Sequence, residues 1–284
     1  MIPPYRLRQS IRRALEEDLE HGDITTTSCL TGGERGRATA RAKSALVLAG
    51  IDVFREVFLC LDPFLSFAAS RRDGQLVQPG EPLAEVQGNL SSILMAERVA
   101  LNFLQRMSGI ATLTRRYAEA VQGTGARIID TRKTAPGLRI FDKYAVRIGG
   151  GANHRFGLSD GVLIKDNHIT AAGGIRQAVQ RARGAVPHTC RIEVEVTNFE
   201  ELDEALAADA EIILLDNMGV AEMKKAVERV GGRRPLEASG GISLENVRAV
   251  AETGVNLISV GALTHSAPAA DISLKISGDS GTGA

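Results

Sequence analysis

The sequence predicts an α/β protein whose larger part is built from alternating strands and helices. From Asp130 onward, short runs rich in β-branched residues alternate with amphipathic helical stretches. This alternation is typical of a parallel sheet with connecting helices. Parallel strands that are each followed by a helix close naturally into a (β/α) barrel, and an open doubly wound sheet is the alternative fold. A smaller α+β domain precedes this part.

The first part of the chain, which we place at residues 1–109, begins with a charged helix over residues 5–19. A segment with Asp-Gly and Pro-Gly turns follows at residues 73–86, and this pattern predicts an antiparallel α+β domain. The segment is similar to half of a biotinyl or lipoyl hammerhead, so we predict a hammerhead-like sandwich. The next turn, Gln87-Gly88-Asn89, has no lysine to modify, which excludes a carrier module. A long helix over about residues 91–122 joins the two parts.

The second part, which we place at residues 110–276, contains the predicted barrel strands. They lie at residues 127–130, 161–165, 191–196, 211–215, 235–239 and 256–260. Helices are predicted at 199–208, where Thr197 and Glu200 match a capping box, and at 244–252, with Ser243 as the N-cap. We expect the last residues of this part to pack back on the first domain, and residues 277–284 to form a flexible tail.

The composition excludes several classes of partner. The 284 residues include 34 Lys plus Arg and 34 Asp plus Glu, so the net charge is zero, and we expect neither nucleic acid nor an anionic membrane as partner. The three cysteines form no CxxC pair, which favours reduced thiols in the cytoplasm. A charged N-terminal segment and the lack of a long apolar run exclude a signal peptide and a membrane span.

The window from Asp130 to His168 carries a local excess of positive charge. Its seven basic and four acidic residues leave an excess of three (seven minus four); they are Arg132, Lys133, Arg139, Lys143, Arg147, Arg155 and Lys165 against Asp130, Asp142, Asp160 and Asp166. Arginine forks bind planar carboxylates and phosphates through two hydrogen bonds. In a neutral chain, this concentration predicts a site for a small acidic ligand. His154 and Arg155 belong to it because they follow three glycines that let a ligand approach the backbone.

Each predicted strand of the second part ends in a group capable of chemistry. These ends are Asp130-Thr131-Arg132-Lys133, Lys165-Asp166-Asn167, Glu195, Asp216-Asn217, Ser239-Gly240-Gly241 and Gly261. The active site of a barrel lies at the carboxyl ends of its strands, and the last two strands commonly bind a phosphate. We therefore expect the active site there, with His265 close to the phosphate.

Three charged positions leave alternatives open. Lys165 closes an apolar strand, so it either pairs with an anion or acts as a neutral amine in Schiff-base chemistry. Glu193 and Glu195 share the face of a strand that should line the barrel; we interpret Glu193 as a structural ion pair. Glu195, with Asp216, could hold Mg²⁺ or stabilise a developing positive charge.

Arg98 lies on a polar stripe of the long helix, which indicates either a site or an interface. From the residues alone, the favoured interpretation is a partly buried structural salt bridge.

The chain resembles the quinolinate phosphoribosyltransferases over almost its whole length. The motifs that carry this resemblance are Glu97-Arg98, Asp130-Thr131-Arg132-Lys133, Asn153-His154-Arg155, Leu163-Ile164-Lys165-Asp166-Asn167-His168, Glu193-Val194-Glu195-Val196, Leu215-Asp216-Asn217, Ser239-Gly240-Gly241-Ile242 and Ser259-Val260-Gly261-Ala262-Leu263-Thr264-His265. So many motifs in the same order make the resemblance specific.

The resemblance implies an incomplete barrel and a homodimer with shared active sites, alone or within a larger assembly. Arg98 would cross the interface to bind quinolinate. The other implied quinolinate ligands are Arg132, His154, Arg155 and Lys165, and Thr131 is a further substrate-binding residue. Lys133 would lie between the two substrates, Glu195 and Asp216 would contact the ribose and Mg²⁺, and Ser239, Gly240, Gly241, Gly261 and His265 would surround the 5-phosphate.

The implied reaction converts quinolinate and phosphoribosyl pyrophosphate to nicotinate mononucleotide, pyrophosphate and CO₂ in NAD biosynthesis. Lys133, Glu195 and Asp216 are the implied catalytic residues. Two alternatives remain: a related phosphoribosyltransferase for a monocarboxylate such as nicotinate, and a Schiff-base barrel aldolase that uses Lys165.

Overall fold

The computed structural model describes residues 2–278 and consists of two compact units. Of the described residues, the first unit comprises 2–113, 135–149 and 267–278. The second unit comprises residues 114–134 and 150–266. Of the predicted tail, Ser277 and Gly278 belong to the last strand, and residues 279–284 lie outside the described residues. Within residues 2–278, no helix is both long enough and apolar enough to cross a membrane.

The first unit contains helices around a small antiparallel sheet. Its elements are α1 (Pro4–Leu19), α2 (Ile24–Cys29), β1 (Arg35–Ala42), β2 (Leu46–Val47), α3 (Ile51–Leu61), β3 (Ser66–Ala69), β4 (Leu76–Val77), β5 (Pro82–Asn89), α4 (Leu90–Ala120, whose residues from Thr114 on belong to the second unit), α5 (Arg139–Ile148) and β12 (Ile272–Gly278). The sheet order is β12-β1-β5-β3, and β2 pairs with β4. The last strand thus pairs antiparallel with the first.

Alternation along β1 explains how this sheet forms a core. Ala38, Ala40 and Ala42 are fully buried, while the residues between them face outward, which is the period of a strand covered on one face. In α3, Phe54 and Phe58 are also fully buried and meet edge to face, with ring centroids 5.1 Å apart. The predicted α+β character of this part is therefore confirmed.

The second unit is built from six parallel strands and the helices that connect them. Its elements are β6 (Arg127–Ile129), β7 (Val162–Ile164), α6 (Asp166–Ala172), α7 (Ile175–Ala185), β8 (Ile192–Val196), α8 (Phe199–Ala207), β9 (Ile212–Asp216), α9 (Val220–Val230), β10 (Leu236–Ser239), α10 (Val247–Ala251), β11 (Leu257–Ser259) and α11 (Ala262–His265). All six strands lie within a residue or so of the predicted ranges.

The strand order shows an incomplete barrel. It runs β6-β11-β10-β9-β8-β7, so the first strand pairs with the last. A single parallel bridge joins Ile129, at the end of β6, to Ala152. Among the described residues, no ladder joins β7 to β6 or to Ala152. The first-to-last pairing is the closure of a barrel, and a doubly wound sheet, in which the strand order reverses, is excluded. The predicted fold class is confirmed.

The predicted start of α8 at residue 199 is confirmed, whereas its predicted cap and the predicted start of α10 are wrong. The N-cap of α8 is Asn198, whose side chain accepts a hydrogen bond from the Glu201 amide at 2.9 Å, whereas Thr197 donates its hydroxyl to the Glu201 carboxylate at 3.0 Å. Ser243 does not cap a helix, because Asn246 accepts from the Ser243 amide at 2.9 Å and closes a turn. The helix α10 therefore starts later, at Val247.

Candidate active site

The carboxyl ends of the parallel strands bring the predicted acidic residues to one edge of the second unit. The register of the sheet places Asp216 beside Ser239 and Glu195 beside Leu214. Lys165, which directly follows the neighbouring strand β7, forms an ion pair with Glu195. The side chain of Lys165 is 45% exposed and that of Glu195 is 11% exposed. Three strand ends thus present two carboxylates and an ammonium group together, as the sequence predicted.

Arg132 and Arg155 form the basic side of this region. Burial lowers the pKa of Arg155, and the nearby charge of Arg132 lowers it further. The Arg155 guanidinium also donates to the carbonyl oxygen of Gly161 at 3.1 Å. Two guanidinium groups close enough to repel each other make a favourable place for an anion.

A buried aspartate holds the segment that carries the basic residues. Asp130 is fully buried and accepts hydrogen bonds from the Asn153 amide group at 2.6 Å and from the His154 backbone N–H at 2.8 Å. The glycines before this segment end α5 at Gly149, and Gly150 takes a left-handed conformation (φ 98°). Asp130 therefore fixes the chain after the turn instead of acting as a charge at the mouth.

His154 faces two buried carboxylates inside the barrel. Its Nε2 lies 3.1 Å from Glu193 Oε2 and 3.8 Å from Glu237 Oε2. Its Nδ1 accepts a hydrogen bond from the Arg155 backbone N–H at 2.7 Å, so the ring proton lies on Nε2 and is directed at the carboxylates. A ring that accepts at Nδ1 carries a single proton, so the contact with Glu193 is a hydrogen bond, and the structural ion pair of Glu193 stays a prediction.

Glu193 and Glu237 share a space with few hydrogen-bond donors. One oxygen of each, Oε1, is buried without a hydrogen-bond partner. Burial, followed by the charge of Glu193, raises the pKa of the Glu237 carboxyl group well above its ordinary value. With His154, these residues have the chemistry of a metal site. However, a histidine that binds a metal usually donates its other ring N–H, and here Nδ1 accepts.

A cavity of about 540 Å³ opens below these carboxylates. Most of its lining comes from the amino ends of the strands, including Arg127, Val162, Ile212 and Leu257. Of the predicted ligand-binding residues, His154 and Arg155 line it. The cavity therefore lies between His154 and Arg155 and the amino ends of the strands.

The predicted phosphate site is a pair of glycine turns beside Lys133. Gly240 and Gly241 are left-handed, with φ of 91° and 62°. At Gly261, an added Cβ would lie 3.1 Å from His265 Nε2 and 3.2 Å from Lys133 Cδ. The stem of Lys133 and the ring of His265 thus meet over Gly261, and their roles at a phosphate stay predictions.

The basic window of the sequence is divided between the two units, and its interpretation as one anion site stays a prediction. Arg139, Lys143 and Arg147 lie on α5, which belongs to the first unit. In the same helix, Asp142 is fully buried and forms two hydrogen bonds of 2.8 Å with the Arg106 guanidinium. Arg106 and Asp142 thus contribute to the packing of the first unit.

Arg98 is exposed on α4 in the first unit. Among residues 2–278, no carboxylate forms an ion pair with it. The interpretation of Arg98 as a partly buried structural salt bridge is therefore wrong, and its role as a ligand of the substrate stays a prediction.

Comparison with known protein families accounts for both units. A model of the C-terminal domain of quinolinate phosphoribosyl transferase matches residues 110–275, and a model of the N-terminal domain matches residues 23–108. The chain belongs to the quinolinate phosphoribosyl transferase family. The resemblance predicted from the sequence motifs is thus confirmed.

Relatives that match almost the whole chain occur in several bacteria. The chain is 47% identical to the nicotinate-nucleotide pyrophosphorylase [carboxylating] of Mycobacterium leprae, over 95% of this chain and 96% of that protein. It is 44% identical to the probable nicotinate-nucleotide pyrophosphorylase [carboxylating] of Synechocystis, over 97% and 94% of the two chains. The structure of the nicotinate-nucleotide pyrophosphorylase from Francisella tularensis matches with a TM-score of 0.93 and 40% identity, and covers 98% of both chains.

Two residues of this quinolinate phosphoribosyl transferase site were not assigned a role from the sequence. Glu237 lies two residues before Ser239 on the same face of β10, so the alternation that singled out Glu193 and Glu195 would have found it. Asn217 was noted only as part of a motif, and no sequence signal indicates the left-handed conformation that it adopts (φ 54°).

Proposed function

We propose that this chain transfers the phosphoribosyl group of phosphoribosyl pyrophosphate to quinolinate and decarboxylates the product to nicotinate mononucleotide, in the synthesis of NAD. Membership of the quinolinate phosphoribosyl transferase family supports this activity. The observation that connects this activity with the site is the arrangement of the strand ends, where a pair of arginines, two carboxylates and a glycine turn occur together. A dicarboxylate and a phosphorylated sugar need these two kinds of surface side by side.

The dicarboxylate would bind to the basic side. Arg132 and Arg155 are close enough for their charges to interact, and an anion between them would relieve that repulsion. Lys165 and His154 would complete the pocket, together with Thr131. His154 donates its Nε2 proton to Glu193 in this structure, so a role in binding requires either the ring face or a change of partner.

The phosphoribosyl group would bind at the glycine turns. Backbone N–H groups of left-handed turns form concave sites for anions. Gly240 and Gly241 supply such a turn next to Ser239, and Gly261 lies at the end of the adjacent strand β11. The stem of Lys133 lies against Gly261, which would place its ammonium group between the pyridine ring and the phosphoribosyl group.

Glu195 and Asp216 are suited to hold Mg²⁺. Magnesium prefers carboxylate oxygens and often shares them with substrate phosphates, and one oxygen of each carboxylate here is engaged by a neighbour, Lys165 or Asn217, which leaves the second for a metal. Bound Mg²⁺ would neutralise the charge of the departing pyrophosphate.

The chain's own residues would then carry the reaction through positioning and charge. As the bond between C1 of the ribose and the pyrophosphate oxygen breaks, the carboxylates of Glu195 and Asp216 would stabilise the positive charge that develops on the sugar. The ring nitrogen of quinolinate attacks C1 and becomes positively charged. The bond to the adjacent carboxylate then breaks, its electron pair stays on the ring carbon, CO₂ leaves, and a proton from solvent replaces it.

The aldolase alternative receives no support from the site. A Schiff-base lysine requires a neutral amine, which an apolar pocket or a neighbouring cation favours. Lys165 instead pairs with the carboxylate of Glu195 and is half exposed. This setting favours an ammonium group that binds anions.

Parallel turnover of two substrates tests the proposed function. Purified protein with Mg²⁺ and phosphoribosyl pyrophosphate should release pyrophosphate with quinolinate, and much less with nicotinate, because only a dicarboxylate engages the whole basic side. Equal or greater turnover of nicotinate would mean that the substrate is a monocarboxylate and not quinolinate. The absence of turnover with either substrate, in folded protein, would overturn the assignment.

We also propose that the active form is a homodimer in the cytoplasm, in which Arg98 of one subunit contributes to the active site of the other. The exposed position of Arg98 on α4 is consistent with this role.

A further inference from the structure

Asn217 has an unusual backbone conformation at the end of β9. Among residues 2–278, the non-glycine residues in the left-handed region are Asp209 (φ 64°) and Asn217 (φ 54°). Such a conformation is disfavoured for residues other than glycine, and it is often retained where function requires it. Glycine would adopt it without strain, so the side chain of Asn217 must account for its presence.

The side chain and backbone of Asn217 connect two strand ends. Its side-chain amide nitrogen donates to Asp216 Oδ2 at 2.8 Å. Its backbone N–H donates to the Ser239 carbonyl oxygen at 2.9 Å. Asn217 thus restrains the carboxylate of its own strand while it holds the end of the next strand.

The amide oxygen of Asn217 lies against Gly240. A Cβ added at Gly240 would collide with Asn217 Oδ1, and would lie 2.7 Å from its Cγ and 3.0 Å from its backbone nitrogen. Gly240 also has a left-handed φ of 91°. The amide nitrogen of Asn217 therefore donates to the carboxylate, while the amide oxygen packs against the glycine turn.

We propose that Asn217 is a positioning residue that fixes the Asp216 carboxylate relative to the glycine turn of Gly240 and Gly241. This inference rests on the proposed function, in which the carboxylate faces the ribose and the turn binds its phosphate. Because one rigid amide touches both, a bound ribose phosphate meets a carboxylate and an anion site at a preset separation. Such preorganisation increases affinity because fewer groups need to be ordered on binding.

We expect Asn217 to affect the binding of one substrate only. Asn217 contacts neither Arg132 nor Arg155, which form the dicarboxylate side. Loss of its amide should therefore weaken the binding of phosphoribosyl pyrophosphate and leave that of the dicarboxylate unchanged. A residue that only stabilises the fold would affect both, or neither.

The variant Asn217→Gly separates the backbone role from the side-chain role. Glycine relieves the left-handed strain, so the melting temperature should stay the same or rise, while the hydrogen bond to the carboxylate is lost. A hydrogen bond to a charged group is worth about tenfold or more in affinity. The matched control is Asp209→Gly, which relieves the same strain in the loop before β9, where the side chain forms an exposed ion pair with Arg234.

The measurement is calorimetric titration of phosphoribosyl pyrophosphate, with Mg²⁺, into protein saturated with phthalate. Phthalate is a dicarboxylate without a ring nitrogen, so no reaction follows. We expect Asn217→Gly to bind phosphoribosyl pyrophosphate about tenfold more weakly, with phthalate affinity within about twofold of the unmodified protein, and Asp209→Gly to change neither. A second variant, Asn217→Asp, should weaken the same ligand further, because two adjacent carboxylates repel each other.

Two results would overturn the inference in distinguishable ways. If the unmodified protein binds phosphoribosyl pyrophosphate and Asn217→Gly binds it equally well, Asn217 is only a turn residue and the proposed function stands. If the unmodified protein binds neither phthalate nor phosphoribosyl pyrophosphate, whichever is added first, the proposed function fails and the role of Asn217 fails with it.

Discussion

At the scale of single residues, the carboxyl group of Glu237 makes stability depend on pH. Burial and the neighbouring Glu193 raise its pKa in the folded protein above the ordinary value of 4.5. The folded state therefore binds this proton more tightly than the unfolded chain does, and stability falls as the pH rises from that ordinary value through the raised one. The variant Glu237→Gln keeps the size of the side chain and cannot ionise. We expect its free energy of unfolding, relative to the unmodified protein, to increase as the pH rises.

Urea denaturation at a series of pH values from mildly acidic to mildly alkaline measures this difference. The control is Glu245→Gln, an exposed position of the same unit, whose effect should not follow the same course. A difference for Glu237→Gln that is constant across this range would mean that Glu237 does not gain its proton on folding.

Gly261 allows a separate prediction at the residue scale. Its φ is −64°, which alanine adopts without strain, so Gly261→Ala adds only a methyl group against Lys133 and His265. We expect a several-fold higher KM for phosphoribosyl pyrophosphate, with a nearly unchanged melting temperature. In the control Gly184→Ala, the added Cβ meets open space, so the KM values for quinolinate and for phosphoribosyl pyrophosphate should be unchanged. An unaltered KM in Gly261→Ala would mean that the phosphate does not bind at this turn.

At the scale of elements, the pairing of α4 with α5 stabilises the first unit. Arg106 on α4 forms two hydrogen bonds with the fully buried Asp142 on α5. Removal of one partner leaves a charge in a partly desolvated position, which costs about 3–5 kcal/mol for a buried pair. We expect Asp142→Ala to lower the free energy of unfolding by about this amount, as measured by urea denaturation.

The surface provides a contrast for this prediction. Arg248 and Glu252 form an ion pair one turn apart on the outside of the second unit, with both side chains about half exposed. Such pairs contribute about 0–1 kcal/mol, so Glu252→Ala should change stability little. If Asp142→Ala were equally mild, the pair between α4 and α5 would not hold them together.

The same scale shows what the sequence could predict. Strands such as β8 and β9 follow from local alternation, and chemistry at their ends follows from the rule for barrels. By contrast, Arg106 and Asp142 are 36 residues apart, and no local pattern pairs them. The conformation of Asn217 depends on Ser239 and Gly240 of the next strand. Likewise, the middle of the basic window belongs to another unit, because charge counted along the chain does not indicate which residues fold together.

At the scale of the whole molecule, the proposed sharing of active sites predicts complementation. Arg98→Ala and Lys165→Ala should each be nearly inactive. If Arg98 acts in the partner's site, a mixed dimer has one intact site and one that carries both changes. With equal amounts and free exchange, half of the dimers are mixed, so about a quarter of the unmodified activity should return.

A second mixture controls for this result. Lys165→Ala and Glu195→Ala alter the same barrel, so their mixed dimers contain no intact site and should stay inactive. Recovery in this control, or the absence of recovery in the first mixture after mass spectrometry has shown exchange, would contradict a contribution of Arg98 across the interface.

The central claim is that this chain couples phosphoribosyl transfer to loss of the carboxylate next to the ring nitrogen. The most direct measurement uses quinolinate labelled with ¹⁴C in that carboxylate, together with phosphoribosyl pyrophosphate and Mg²⁺. The account predicts one labelled CO₂ for each nicotinate mononucleotide formed, and none when phosphoribosyl pyrophosphate is omitted. Label that stays in the nucleotide, or CO₂ that is released without phosphoribosyl pyrophosphate, would contradict it.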